Sequence, residues 1–384
     1  MGKKILEIED LVLRFYTYEG VVKALEGINL FVEEGETLGI VGETGCGKTM
    51  TGLSIFNLIP SPGQIEGGRI FLKTTQEPID LLRQKDDVLR EVRGKTVSMI
   101  FQEPSSALNP VYSVNDQVSE VYMVHQKKEL VKNVLDELEK DLEKESQKNF
   151  FYKLEKRIYE KMLKNPESFS LKILSRIPIV RRYQNRLKTE LRKAVVNILA
   201  EMEIPDPERV ADMYPHELSG GMQQRIVIAM ALACNPELLT ADEPTTSLDV
   251  TIQARILDLI RRLKARFKSS VMFITHDMGV IAEMSDRVAV MYAGTICEIA
   301  DVVEIFKTPL HPYSKALIES IPRPGEEYKS IEGTVPNLIE PPAGCRFHPR
   351  CPMAMEVCQK VSPRIVEVKK NHFVSCHLYP GQTK

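Results

Sequence analysis

The chain has 384 residues, enough for two or three domains and a full hydrophobic core. Its 51 basic and 53 acidic residues nearly cancel, so no global field steers it toward nucleic acid or an acidic partner. No apolar run reaches membrane-spanning length, and Met1-Gly2-Lys3-Lys4 leads into Glu7, Glu9 and Asp10 rather than an apolar leader core. The expectation is a cytosolic protein that meets a membrane only through partners.

Residues 5–41 alternate in strand fashion: Ile5, Leu6, Ile8, then Leu11, Val12, Leu13 and Phe15. After a Tyr18-Glu19-Gly20 turn come Val21, Val22, Ala24 and Leu25, then Ile28, Leu30, Phe31 and Val32. Short strands broken by turns such as Glu34-Gly35 predict an antiparallel β layer leading into a parallel core. Thr37-Leu38-Gly39-Ile40-Val41 reads as a buried strand, and Met50 to Ile59 as a helix halted by Pro60. Between them stands Gly42-Glu43-Thr44-Gly45-Cys46-Gly47-Lys48-Thr49, the pattern G-x-x-x-x-G-K-[ST]. A strand feeding a glycine-rich turn that opens a helix is the context of a phosphate-binding loop. Glycines let successive N–H groups converge on one anion, and the helix N-terminus adds unpaired donors. Lys48 would reach the β- and γ-phosphates of a nucleotide, and the Thr49 hydroxyl would hold Mg²⁺. Upstream, Tyr16 or Tyr18 is placed to stack on an adenine ring, although an aromatic in a hairpin equally serves packing.

Gly67–Leu72 and Val97–Phe101 read as further strands, the second ending at Gln102. A polar residue at the C-terminal end of a strand faces the ligand crevice of an open α/β sheet, which makes Gln102 a candidate for Mg²⁺ or the attacking water. From Asn115 to Asn165 apolar residues fall at helical spacing (Leu130, Val131, Val134, Leu135, Leu138, Leu142, then Phe150, Phe151, Leu154, Ile158), broken by Pro166 and Pro178. A basic run with Arg176, Arg181, Arg182, Arg186, Arg192 and Lys193 follows. Its charges interleave with hydrophobics and nearby acids, so it reads as a solvated helical face rather than a membrane- or RNA-binding patch.

Ser219 before Gly220 and Gly221 marks a second helix N-terminus able to bind anions. Leu238–Ala241 is a hydrophobic strand ending in Asp242 and Glu243, the first placed for Mg²⁺ and the second to orient or deprotonate water. Ser247-Leu248-Asp249 forms a turn, Ile252 to Phe267 an amphipathic helix, and Val271–Thr275 a strand delivering His276 and Asp277. Val288–Met291 and Ile296–Ile299 pair about Ala293-Gly294.

In this order the motifs resemble the ATP-binding subunit of ATP-binding-cassette (ABC) transporters. Gly42–Thr49 matches the Walker A loop, with Met50 next along its helix, and Gln102 matches the Q-loop. Leu218-Ser219-Gly220-Gly221-Met222 matches the signature (Met222 replacing the commoner glutamine), Asp242-Glu243 the Walker B pair, Ser247-Leu248-Asp249 the D-loop, and His276 the switch histidine. Phe101–Pro110, Asp242–Thr251 and His311–Leu317 look like the dipeptide/oligopeptide-uptake branch. The resemblance implies an α/β P-loop NTPase core at 1–102 and 235–310, and a helical signature subdomain at 103–234 carrying an insertion near 126–192. A C-terminal extension would span 311–384. It also implies a head-to-tail pair of cassettes, with ATP between Walker A of one and Ser219, Gly220, Gly221 and Asp249 of the other. That pair would sit on two membrane permease subunits at the cytoplasmic face, fed by an extracytoplasmic solute-binding protein and without nucleic acid. The implied function is ATP-driven import of a peptide-like solute. Oligosaccharide, nickel or glutathione are alternative cargos, and a soluble non-transport ATPase or a non-hydrolytic regulator is a rival reading.

Four of the seven cysteines crowd the tail as Cys345, Cys351, Cys358 and Cys376, among Pro341, Pro342, Pro349 and Pro352. Four thiolates on a proline-stiffened segment suit either Zn²⁺ or an iron–sulfur cluster. The spacing lacks close C-x2-C knuckles and fits a cuboidal cluster. The resemblance favours [4Fe–4S], with His348, His372 and His377 as possible replacement ligands.

Overall fold

The computed structural model describes residues 3–73, 77–144, 150–164, 181–246, 248–322, 325 and 330–379. The chain forms two compact units, one of Met1–Gln102 with Pro236–Lys384 and one of Glu103–Asn235.

The first unit holds two sheets. β1 (Lys4–Thr17), β2 (Gly20–Glu33), β4 (Gly63–Leu72) and β5 (Ile79–Asp80) form an antiparallel layer in the order β2-β1-β4-β5. The short strands expected at the start are two 14-residue strands, whose pairing is interrupted by bulges rather than by turns. The second sheet contains β3 (Thr37–Val41), β6 (Val97–Ile100), β7 (Leu238–Asp242), β8 (Ser270–Thr275), β9 (Arg287–Tyr292) and β10 (Thr295–Asp301). β11 (Val366–Lys369) and β12 (His372–Val374) complete it, in the order β11-β12-β10-β9-β3-β8-β7-β6. β9, β3, β8, β7 and β6 run parallel, and the other end is closed by antiparallel pairs.

Strands buried on both faces are apolar along nearly their whole length, and β9 illustrates it from Val288 onward. Ala289 and Met291 join a core shared with Leu6, Leu25, Leu38 and Ile274, between the two sheets. Val288, Val290 and Tyr292 face a second core with Ile305, Tyr313 and Phe347, so the C-terminal region is built into this unit. The helix after the glycine-rich loop spans Lys48–Ile55. It stops before the expected Pro60 because Phe56, Asn57 and Leu58 N–H groups turn back onto Leu53 and Ser54 carbonyls.

The second unit is helical: Val114–His125, Lys127–Lys144, Phe150–Lys164, Arg181–Glu201 and Gly220–Leu232 are its longer elements. Leu130, Val131, Val134, Leu135, Leu138 and Ile158 are buried as their spacing predicts, while Leu154 stays 39% exposed. The basic run pairs within the unit: Arg186 with Asp141 (2.9 Å), Arg192 with Asp212, and Lys193 with Glu137 (2.8 Å). Its Arg176, like Pro166 and Pro178, lies outside the described residues.

Candidate nucleotide site

The glycine-rich loop runs from the buried end of β3 to Gly47, which caps the helix Lys48–Ile55 with φ +101°. A side chain at Gly42 would put its Cβ 2.1 Å from the Met291 carbonyl, so only glycine lets the loop lie against β9. Lys48 is buried, its ammonium donating to the carbonyls of Gly42 (2.8 Å) and Glu43 (3.2 Å). Cys46 is also buried, which pushes its thiol pKa up; its carbonyl accepts the Gly294 N–H at 2.9 Å.

The parallel strands deliver the polar groups expected at their ends. The Thr49 hydroxyl donates to Asp242 Oδ1 at 3.2 Å. Asp242 is 2% exposed, and burial pushes its pKa up to about 6, with Glu243 adding to the rise and Thr49 and Lys48 opposing it. Glu243 follows in the left-handed region at φ 45°. Its Oε2 accepts from the Gln102 amide (3.0 Å) and the Thr246 hydroxyl (2.9 Å), and its Oε1 lies 2.9 Å from His276 Nδ1. Burial works against the charge on Glu243, but the His276 and Thr246 hydrogen bonds outweigh it and hold the pKa below the usual glutamate value. Thr49, Gln102, Asp242, Glu243 and His276 are thus brought together; Thr246, inside the Asp242–Thr251 stretch but given no role of its own there, joins them.

Other expected residues stand apart from this cluster. Tyr16 is 46% exposed with its hydroxyl on Glu66, and Tyr18 is 98% exposed with its hydroxyl on Glu19, both at the turn end of the β1–β2 hairpin. Asp249 caps the helix Val250–Phe267, accepting the Ile252 N–H at 2.9 Å. In the helical unit Ser219 caps Gly220–Leu232, and Gly220 faces open space. Ser247 lies outside the described residues.

Sequence reasoning missed the C-terminal residues on the loop. The Glu43 N–H donates to the Tyr313 hydroxyl at 3.0 Å, and the Glu43 carboxylate is gripped by Arg350. The one available signal was an acid inside an anion-binding loop, which calls for a counter-charge.

The tail cysteines give the expected metal centre no support from their placement. Among the described residues no group of three or more His, Cys, Asp or Glu side chains is placed to hold a metal ion. Cys345 and Cys351 instead pack against the second core as small hydrophobes. Burial, then the neighbouring thiols, pushes the Cys345 pKa up to about 11, and burial likewise raises Cys351 and Cys376. Cys358 Sγ accepts the Met355 N–H at 3.5 Å. His372 is engaged by the buried Glu298 at 2.7 Å, while His348 and His377 bond backbone carbonyls. The four thiols share a neighbourhood but are not a gathered ligand set.

Residues 25–246 match the family model described as ABC transporter, and 297–358 match the oligopeptide/dipeptide transporter C-terminal region. The dipeptide transport ATP-binding protein DppD of Bacillus subtilis is 40% identical over 380 residues, 98% of this chain and 95% of that protein. The oligopeptide transport ATP-binding protein OppD of the same organism is 40% identical, over 99% of this chain and 91% of its own. A probable peptide ABC transporter ATP-binding protein of Sinorhizobium fredii is 42% identical over 97% and 94%. Among solved structures, a dimeric ATP-binding cassette in a post-hydrolysis state bound to ADP and Pi has a TM-score of 0.53 at 22% identity, over 77% of this chain and 98% of that one. The cbiO1 cassette of Clostridium perfringens has a TM-score of 0.52 at 24% identity, over 80% and 92%. Those two likenesses speak for the fold alone, whereas the full-length relatives and the family models reach further. The chain belongs to the ABC transporter family, among the ATP-binding subunits that carry the oligopeptide/dipeptide-type C-terminal region.

Proposed function

We propose that this chain hydrolyses ATP to ADP and phosphate and so powers import of a peptide-like solute through partner permease subunits. The observation that carries it is the Glu243 carboxylate, fixed from three sides by Gln102, Thr246 and His276 beside the Thr49–Asp242 pair. The phosphate tail lies along the Gly42–Thr49 loop, where backbone N–H groups and Lys48 offset its charge. A carboxylate whose pKa is held low orients water more than it removes a proton from it. Glu243 therefore aligns the attacking water, and His276 and Gln102 keep the carboxylate aimed at it. Mg²⁺, when bound, neutralises charge on the β- and γ-oxygens. Thr49 and Asp242 are the residues to hold it.

The adenine would stack on Tyr16 or Tyr18. The site is completed by Ser219, Gly220, Gly221 and Asp249 of a second cassette, identical or paralogous, whose exposed helix N-terminus adds donors to the other side of the triphosphate. Residues 1–102 with 235–310 act as the nucleotide-binding core, 103–234 as the signature subdomain and 311–384 as the branch-specific extension. Among the described residues no helix is long and apolar enough to cross a membrane. Membrane association would be peripheral, through the permeases and at the cytoplasmic face, with a solute-binding protein outside. Peptide as cargo draws support from the names of the full-length relatives.

A [4Fe–4S] cluster, or Zn²⁺, at Cys345, Cys351, Cys358 and Cys376 is the narrowest part of the proposal. It is supported by four thiols of one neighbourhood and requires them to close up. Brown, iron-containing protein after anaerobic purification is the expected result, and colourless metal-free protein overturns it. For the ATPase itself, Glu243→Gln is expected to cut turnover by about 100-fold or more, some 3 kcal/mol of barrier, while Mg-ATP binding persists and a dimer accumulates on gel filtration. Unchanged hydrolysis in that variant would sink the assignment.

A further inference from the structure

Glu43 puts a negative charge inside a loop whose task is to receive phosphate. Two like charges a few ångströms apart repel, so an uncovered carboxylate there opposes nucleotide binding. The chain answers with a residue 307 positions away. Arg350 closes a two-pronged grip on Glu43, Nη1 to Oε2 at 2.7 Å and Nη2 to Oε1 at 3.1 Å, the planar fork that matches a carboxylate. The Arg350 side chain is only 4% exposed and that of Glu43 29%, so the pair is shielded mainly on the arginine side. Its remaining donors are held by the carbonyls of Glu332 (2.8 Å) and Ile331 (3.3 Å) and by the Tyr292 hydroxyl (3.2 Å). Burial opposes the guanidinium charge, but the Glu43 and Tyr292 hydrogen bonds outweigh it and keep the group charged. Tyr313 fixes the Glu43 backbone from the same side, and its ring packs edge-on with Tyr292 (centroids 4.6 Å) and against Phe347 (5.2 Å).

We propose that Arg350 is a positioning residue of the nucleotide site, a built-in counter-ion through which the C-terminal region cancels the Glu43 charge and sets the phosphate loop's affinity for ATP. The tail then contributes to the chemistry of the loop, not only to the fold around it. The proposal rests on the loop being the nucleotide site.

The test is a binding and turnover comparison on the full chain, with ATP and Mg²⁺ as the probe. Arg350→Gln is expected to raise the Kd and KM for ATP about tenfold while kcat at saturating ATP stays within about twofold. Adding Glu43→Gln to it should recover most of that loss, because the charge needing cancellation is gone. Arg350→Lys should retain more affinity than Arg350→Gln. An Arg350→Gln Kd equal to that of the wild type overturns the proposal. So does a double variant as weak as Arg350→Gln, which would make the arginine a structural strut. If Arg350→Gln folds poorly, Glu43→Asp serves instead: its shorter carboxylate leaves the fork, so it should bind ATP several-fold more weakly than Glu43→Gln, and equal affinities overturn the idea. A wild-type chain that fails to bind ATP overturns the nucleotide reading itself, separately from any variant.

Discussion

At Glu243 the backbone sits at φ 45°, a conformation that costs a non-glycine residue about 1 kcal/mol or more and persists only where its surroundings impose it. The imposing contacts are visible: the Glu243 N–H is tied to the Ile274 carbonyl at 2.8 Å and the side chain is held by Gln102, Thr246 and His276. Neighbouring Thr49 and Asp242 are coupled by one hydrogen bond, so either change alone should disturb the metal side of the site. Thr49→Ala is expected to lower Mg-dependent ATPase activity by roughly tenfold, about 1.4 kcal/mol, and to raise the Mg²⁺ concentration for half-maximal rate. An unshifted magnesium titration would show that Thr49 does not hold the ion. The meeting of Gln102, Asp242, Glu243 and His276 was legible in the sequence because each stands at the end of a hydrophobic run. Thr246 was not, since a threonine in a turn has many uses.

Helix boundaries show the same mixture at the scale of elements. The helix Val250–Phe267 was recognisable over Ile252 to Phe267 from its 3.6-residue spacing, which buries Ile256, Leu257, Leu259, Ile260 and Leu263. Its start is set by Asp249, whose carboxylate takes the Ile252 N–H. Asp249→Ala should therefore cost about 1 kcal/mol in urea unfolding, and Asp249→Asn much less. Equal stability of both variants would mean that the cap is not holding the first turn. The helix Lys48–Ile55 ended earlier than its apolar pattern suggested, because local turn hydrogen bonds at Phe56–Leu58 won over propensity. The two 14-residue strands were under-read for a related reason: bulges shift the side-chain alternation, and a broken alternation looks like a turn.

Across the first unit, the C-terminal region is anchored by buried polar groups that depend on pH. His311 is 2% exposed and accepts the Tyr313 N–H at 3.0 Å through Nδ1, which requires an unprotonated nitrogen. Burial pushes its pKa down to about 4, against a smaller opposing pull from Glu298. The unfolded chain takes up this proton near pH 6.5 and the folded chain only near 4. The contribution of His311 is therefore intact above about pH 6.5 and is lost as pH falls toward 4. The loss has a ceiling of roughly 3 kcal/mol. His311→Asn, which keeps a capping acceptor without the titration, should flatten this limb between pH 7 and pH 5. Parallel pH profiles for variant and wild type would contradict it.

The sequence by itself determined the fold family, the strand–loop–helix around the glycine-rich turn, and the polar residues at the ends of the parallel strands. These are local patterns: a run of apolar residues, a glycine spacing, a charged pair at a fixed offset. What only the tertiary structure decided is how distant segments meet. Neither the grip of Arg350 and Tyr313 on Glu43 nor the Gly294 bond to Cys46 leaves a periodic trace, because each joins parts of the chain brought together by the sheet order. At the tail cysteines the spacing suggested a ligand set; Cys345 and Cys351 pack against the second core, and among the described residues no group is gathered to hold a metal. Spacing constrains which residues can meet, and packing chooses among the meetings that spacing permits.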